Sequence, residues 1–170
     1  MKNHLVIDVE STGPTPVTHS LLQIGICDLE GNEFYHEFRP VEGHSIDMGA
    51  MNAIGLTVDE VMQYPEQAVG YKAMRRWVHA TYGEGTRLTT WSDNPAFDWQ
   101  FVNALWWQHA YMNPFGFSMR RIGDFYAGMQ HDVRAASKWK KMRTGKHTHN
   151  ALDDARGNAG ALKKILEWST

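Results

Sequence analysis

Leu5-Val6-Ile7-Asp8-Val9-Glu10-Ser11-Thr12-Gly13 is the stretch on which the reading of this chain turns. It opens as a short buried strand and becomes polar at its carboxyl end, where Asp8 and Glu10 stand two residues apart. Side chains alternate along a strand, so both carboxylates leave the same face. Two adjacent carboxylates repel each other unless a cation sits between them. Hard divalent ions such as Mg²⁺ take oxygen ligands and usually keep waters that can react. Asp-x-Glu alone also fits two solvated charges at a strand end, so the rest of the chain has to decide.

Downstream, Leu21–Leu29 reads as a second strand, and the turn Glu30-Gly31-Asn32 leads into a third, Glu33–Arg39, carrying Phe34 and Phe38. The opening is a three-strand antiparallel meander. Thr57 and Glu60 match a capping box before Val61-Met62, in a segment that Pro65 ends. Glu66 to Tyr82 has helical spacing in Val69, Ala73, Trp77 and Ala80, and Gly83 closes it. Thr86–Trp91 is a fourth strand, and Phe97 to Tyr111 a helix that stops before Pro114. A short strand is expected around Met119–Ile122, followed by a helical piece. Residues 134–149 read as a loop, and Asn150 to Trp168 as the last helix, with Ala151, Ala155, Ala159, Leu162 and Leu166 as its apolar stripe. Strands first paired as a meander and then alternating with helices predict an α/β fold. Its mixed central sheet is flanked by helices, as one domain over residues 1–170.

Two further patterns carry chemistry. In Trp91-Ser92-Asp93-Asn94-Pro95-Ala96-Phe97-Asp98 a strand ends, Asn-Pro turns the chain, and Asp98 falls in the first turn of a helix. The helix dipole favours an acid there for structural reasons as well. In His149-Asn150-Ala151-Leu152-Asp153-Asp154-Ala155, helix geometry separates the two aspartates. At about 100° per residue, Asp153 lies roughly 160° from the centre of the apolar stripe and faces solvent, whereas Asp154 lies roughly 100° away, at its edge. Asp154 can reach a site beside the sheet, and His149 can swing in from the preceding loop.

The ordered set Asp8-x-Glu10, Asn94-x-x-x-Asp98 and His149-x-Ala151-x-x-Asp154 resembles the DEDDh exonucleases. That family includes polymerase proofreading subunits, oligoribonucleases and small stand-alone enzymes of bacteria and phages. The resemblance spans residues 8 to 154. It implies an RNase H-like fold and 3′→5′ hydrolysis of nucleic acid to nucleoside 5′-monophosphates with two divalent cations, Mg²⁺ or Mn²⁺. Asp8 would bridge both ions, Glu10 and Asp154 would ligate the first, and Asp98 would reach the second mainly through water. Two cations roughly 3.5–4 Å apart stabilise both the attacking and the leaving oxygen of an in-line displacement. His149 would be the general base, a task suited to an imidazole because it titrates near physiological pH.

The same resemblance places Ser11, Thr12 and Gly13 beside the terminal nucleotide, with Gly13 allowing close approach. A strand-ending turn explains them equally. Met51-Asn52-Ala53-Ile54-Gly55-Leu56-Thr57 matches the segment that holds the last base, with Ile54 where His is common, so Met51 and Ile54 are candidates for apolar packing against a base. Asn94 and Phe97 fall on the substrate side of the second motif. Between Arg134 and Lys146 stand Arg134, Lys138, Lys140, Lys141, Arg143 and Lys146 with no acid among them, and Trp139 in their midst. Such a run suits a clamp, with Lys138 and Lys141 tracking phosphates and Trp139 stacking on a base, or it is a solvated loop. Arg120-Arg121 touches phosphate or faces water. His147-Thr148-His149 invites a zinc reading, but a structural zinc site wants four ligands, commonly with cysteine, and Cys27 stands alone.

Composition narrows the setting. In 170 residues, 42% hydrophobic and 21% charged, a single cysteine excludes an intramolecular disulfide and points to a reducing compartment. No run approaches the roughly 20 apolar residues of a membrane span, and the amino terminus lacks a signal-peptide pattern. A cytoplasmic protein is expected, acting on single-stranded 3′ ends with no membrane partner, as a monomer or a homodimer. The competing functions are a catalytically silent nucleic-acid-binding module on the same scaffold and a metal-dependent phosphatase for small phosphoesters.

Overall fold

The computed structural model describes residues 3–110 and 112–168. The Met1-Lys2 lead-in and the expected helix end at Tyr111 lie outside the described residues. The elements run β1 (His4–Ser11), β2 (Leu21–Asp28), β3 (Glu33–Glu37), α1 (Met48–Ile54), α2 (Val58–Val61), α3 (Gln67–Tyr82), β4 (Thr89–Ser92), α4 (Pro95–Trp107), β5 (Arg120–Arg121), α5 (Ile122–Met129), a 3-10 helix (Val133–Met142) and α6 (Ala151–Glu167). Among the described residues the strands form one sheet in the order β3-β2-β1-β4-β5. The β1-β2 and β2-β3 pairs are antiparallel, and the β1-β4 and β4-β5 pairs are parallel. The expected meander and mixed sheet are both present.

Period two along β1 divides the core. Leu5, Ile7 and Val9 pack with Tyr71, Met74 and Val78 of α3 and Phe101, Val102 and Leu105 of α4. Val6 faces the other way, into Cys27, Ile122 and Tyr126 of α5, Trp139 of the 3-10 helix, and Ala155, Leu162 and Ile165 of α6. Asp8 and Glu10 share the face of Val6 and therefore look towards α6. Cys27 is buried filler, with burial the main reason its thiol is pushed up to about 12.

Local chemistry sets the helix starts. Thr57 and Glu60 form the predicted reciprocal capping box, and Pro95 opens α4 at a position where the missing N–H is not needed. The expectation that misses α1 is corrected by its cap, since the Asp47 carboxylate accepts Gly49 and Ala50 N–H. A second correction concerns residues 134–149. Most of the expected loop is the 3-10 helix, which Asp132 caps by accepting the Arg134 N–H and which turns Ala135 and Trp139 inward. Trp139 is fully buried beneath it.

Candidate active site

The site forms at the carboxyl ends of the parallel strands β1 and β4, where open α/β sheets characteristically bind ligands. Asp8, Glu10 and Asp154 each offer a carboxylate oxygen within 4.8 Å of the other two. The first two come from one face of β1. The third arrives because α6 starts directly over the sheet, with Asn150 capping it by accepting Leu152 and Asp153 N–H. Asp154 is buried and Asp153 is exposed, as the helical angle requires.

Gly25 allows that close approach. It is the register partner of Asp8 on β2, and a Cβ there would overlap the Ala151 carbonyl in the first turn of α6. Gly25→Ala is expected to lift that turn and Asp154 with it. Overpacking of this kind costs about 1–3 kcal/mol, and a misplacement near 1 Å at a catalytic group lowers turnover roughly 10²-fold. Calorimetry and single-turnover rates check this. Unchanged values in both would show that the glycine is not what admits the helix.

Asp98 comes from the opposite layer, in the first turn of α4, and is 3% exposed. It accepts the Val9 N–H at 3.1 Å and the Ser92 hydroxyl, and Ser92 Oγ in turn accepts the Asn94 N–H at 2.8 Å. Those bonds aim its carboxylate at the end of β1 beside the other three. Burial pushes all three strand and α4 acids upward. For Asp8 the charges of Asp98, Glu10 and Asp154 add to burial, with Arg143 opposing them. Glu10 is raised to about 8 by burial, Asp154 and Asp98. Asp98 is raised to about 7 by burial, against the hydrogen bonds it accepts. Three raised acids, with the Asp154 carboxylate set against Asp8 and Glu10, are a donor set calling for positive charge. All the donors are hard oxygens, which fits Mg²⁺ or Mn²⁺ rather than a thiophilic ion.

His149 lies in the segment before α6, exposed, with φ +57, a left-handed conformation. Its N–H donates to Asp154 Oδ2 at 3.0 Å and the Thr148 N–H donates to Oδ1 at 3.1 Å, so this carboxylate anchors the segment that carries the imidazole. Sequence reasoning missed His147, whose Nδ1 lies 3.2 Å from Asp154 Oδ2 and whose ring meets that of His149 at 4.4 Å between centroids. Burial holds His147 below the ordinary histidine range, against the pull of Asp154. It also missed Arg143, which lies over the Trp139 ring at 5.1 Å and donates from Nη2 to Asp93 Oδ2 at 3.3 Å. Lys140 reaches the same carboxylate at 2.5 Å.

Beside Glu10 opens a cavity of about 240 Å³, lined by Ser11, Gly13, Pro14, Asp47, Ile54 and Phe97 among others. Ser11, Gly13, Ile54 and Phe97 were candidates from sequence; Pro14 and Asp47 were not. Other candidates lie elsewhere. Met51 is fully buried behind α1 against Leu22 and Val61, so it cannot pack on a base. Thr12 is also buried. Its hydroxyl donates to the Ser45 carbonyl and accepts the Ser20 N–H, while its own N–H and carbonyl bind Ser20 and Asp47. It ties the end of β1 to the cap of α1 and has no group left for substrate. Trp139, proposed to stack on a base, is a core residue because its indole fills the space between α5 and α6. Lys138 is exposed but paired with Asp132, and Lys141 is exposed. Asn94 sits at the exposed turn before α4, outside the cavity lining.

Together, sheet and carboxylates define an RNase H-like exonuclease of the DEDDh type. The chain matches the model of the 3′-5′ exoribonuclease Rv2179c-like domain over residues 3–166, and it belongs to that family. It is a nuclease, a hydrolase of a family described as 3′-5′ exoribonuclease-like. Cap18 of Escherichia coli, a 3′-5′ DNA exonuclease, is 26% identical over 178 residues, spanning 96% of this chain and 91% of Cap18. Among solved structures, the nuclease domain of 3′hExo, a DEDDh family member bound to rAMP, superposes with a TM-score of 0.74 at 17% identity, covering 96% of this chain and 91% of that one. Exonuclease X in complex with 5′-overhanging duplex DNA gives 0.63 at 19% identity, with coverages of 98% and 92%. Among the described residues no helix is long and apolar enough to cross a membrane.

Proposed function

We propose that this chain removes nucleoside 5′-monophosphates one at a time from the 3′ end of single-stranded nucleic acid, using two divalent cations, Mg²⁺ or Mn²⁺, and His149 as general base. The observation that carries this reading is the meeting of Asp8, Glu10 and Asp154 within 4.8 Å, beside a cavity of about 240 Å³ that Glu10 lines. Asp8, Glu10 and Asp154 would hold the cations, and Asp98, steered by Val9 N–H and Ser92, would complete the set. Bound there, divalent cations supply positive charge to the attacking and leaving oxygens of an in-line displacement. The cavity walls, Ile54 and Phe97 with Ser11 and Gly13, would seat the terminal nucleoside so that the scissile phosphate reaches the carboxylates. A ring nitrogen of His149 would take the proton of the attacking water, and the Asp154 anchor would keep the imidazole beside the site.

The family name points to RNA and that of Cap18 to DNA, so the experiment uses both. Purified protein with Mn²⁺ is mixed with matched 5′-labelled single-stranded DNA and RNA of equal length. A descending ladder with release of 5′-monophosphates is expected, and the ratio of the two rates reports how the site reads the sugar. Retention of either oligonucleotide without shortening would make the chain a binding module. Inertness towards both, with hydrolysis of small phosphoesters, would make it a phosphatase.

A further inference from the structure

A larger cleft, about 450 Å³, lies at the carboxyl end of α6, where Leu166 lines it, and shares no lining residue with the carboxylate centre. His4, Trp91, Arg120, Arg121, Asp124 and Phe125 line it, and its volume falls within the usual range for small-molecule sites. Trp91 anchors the floor. Its indole N–H donates to His4 Nδ1 at 3.1 Å, with the two rings stacked 5.9 Å apart, and Phe125 meets it edge-on at 5.3 Å. The Arg120 guanidinium carbon lies 5.3 Å from the centre of the Trp91 ring. Arg120 is exposed and makes no salt bridge among the described residues. An indole on one side and solvent on the other leave the Arg120 charge available at the mouth of the cleft. Arg121 is held differently. Its Nε donates to the Asp93 carbonyl at 3.2 Å and its Nη1 to Asp124 at 2.8 Å, which orients the fork and leaves Nη2 without a hydrogen bond among the described residues.

Guanidinium planes stack on bases, and a pre-oriented guanidinium fork recognises phosphate. We propose that this cleft is a second nucleotide site, taking a planar base on the outer face of Arg120 and a phosphate at Nη2 of Arg121. One guanidinium on an aromatic floor and a second oriented beside it suit a ligand that is flat at one end and anionic at the other. A purely apolar ligand would leave Arg120 desolvated and unpaired, which is unfavourable. The assignment does not depend on the carboxylate centre, and the test keeps the two apart.

Binding is measured in EDTA, so that no cleavage occurs. Labelled adenosine 5′-monophosphate is followed by equilibrium dialysis, and a fluorescein-labelled single-stranded 12-mer by anisotropy. Arg120→Ala is expected to weaken binding about tenfold, within the range for loss of one stacking partner. Arg120→Lys, which keeps the charge but not the plane, should weaken it nearly as much. Loss with the mononucleotide identifies a site for free nucleotide, and loss with the 12-mer alone identifies a seat for the upstream part of a strand. Affinities for both ligands that are unmoved by Arg120→Ala and Arg121→Ala would overturn the proposal. Cleavage of a dinucleotide with Mn²⁺ should be unchanged in Arg120→Ala. A fall there would place the cleft within the catalytic machinery and overturn its independence.

Discussion

Asp8→Asn is expected to leave no measurable shortening of a 3′ end and yet to melt higher than the parent when both are free of metal. Burial comes first among the causes that raise the Asp8 carboxyl, followed by the charges of Asp98, Glu10 and Asp154. Glu10 and Asp98 are raised with it, to about 8 and about 7. An acid whose folded-state value lies above its unfolded value keeps a proton that the unfolded chain has lost. Metal-free stability therefore falls as pH climbs from the ordinary carboxylate range near 4 towards 8, and no penalty remains below that window. Removing the most crowded carboxylate relieves the strain, and it should do so at pH 8 far more than at pH 5. One kcal/mol corresponds to roughly 2–4 °C in a chain of this size, so a gain of several degrees at pH 8 is expected. Saturating Mn²⁺ should raise the parent and add little to the variant, because the cation offsets the same repulsion. Thermal melts at pH 5 and 8, in EDTA and in Mn²⁺, read all of this. A variant that cleaves at the parental rate, or that melts lower at pH 8 without metal, would refute the ligand assignment.

Which parts of this site could be read in advance follows from how local their causes are. Asp8 and Glu10 share a face because of strand pleat alone, and the split between Asp153 and Asp154 needs only 100° per residue. Asp98 was legible from its place in a helix's first turn. No pattern in the chain marks Gly25, because its importance lies in a helix that begins 126 positions later and settles on it. The basic run misled for a related reason. Its charges read as a substrate-facing surface, but Asp93, far earlier in sequence, takes both Lys140 and Arg143. Those pairs fasten the segment down over a buried Trp139, while Lys138 and Lys141 stay exposed. Met51 and Thr12 show the same limit from the other side. Motif alignment put them in the substrate's neighbourhood, and only packing reveals that their side chains turn inward.

His149→Asn is expected to slow the chemical step by roughly 10²–10⁴-fold, the usual loss when a general base is removed, with metal and oligonucleotide binding retained. Two histidines meet at this site and are held differently. The His147 ring is committed through Nδ1 to Asp154. His149 spends only its backbone N–H on that carboxylate, and its ring is exposed. A base has to reach water with an uncommitted nitrogen, and the proposed mechanism gives that task to His149. Asparagine is the informative replacement because the backbone there is left-handed, at φ +57. Asparagine tolerates that conformation far better than alanine, and a non-glycine residue forced into it is strained by about 1–3 kcal/mol. The substitution thus removes the imidazole while leaving the Asp154 anchor in place, and its melting temperature should match that of the parent. His147→Gln provides the contrast. It should change the Mn²⁺ concentration needed for half-maximal thermal stabilisation, since its ring competes for Asp154, and it should alter the single-turnover rate at saturating Mn²⁺ by less than about tenfold, a small part of the range for a lost base. If the two results are exchanged, with His147→Gln losing the chemistry and His149→Asn shifting only metal dependence, then the imidazole resting on Asp154 is the base and the exposed one serves the cation.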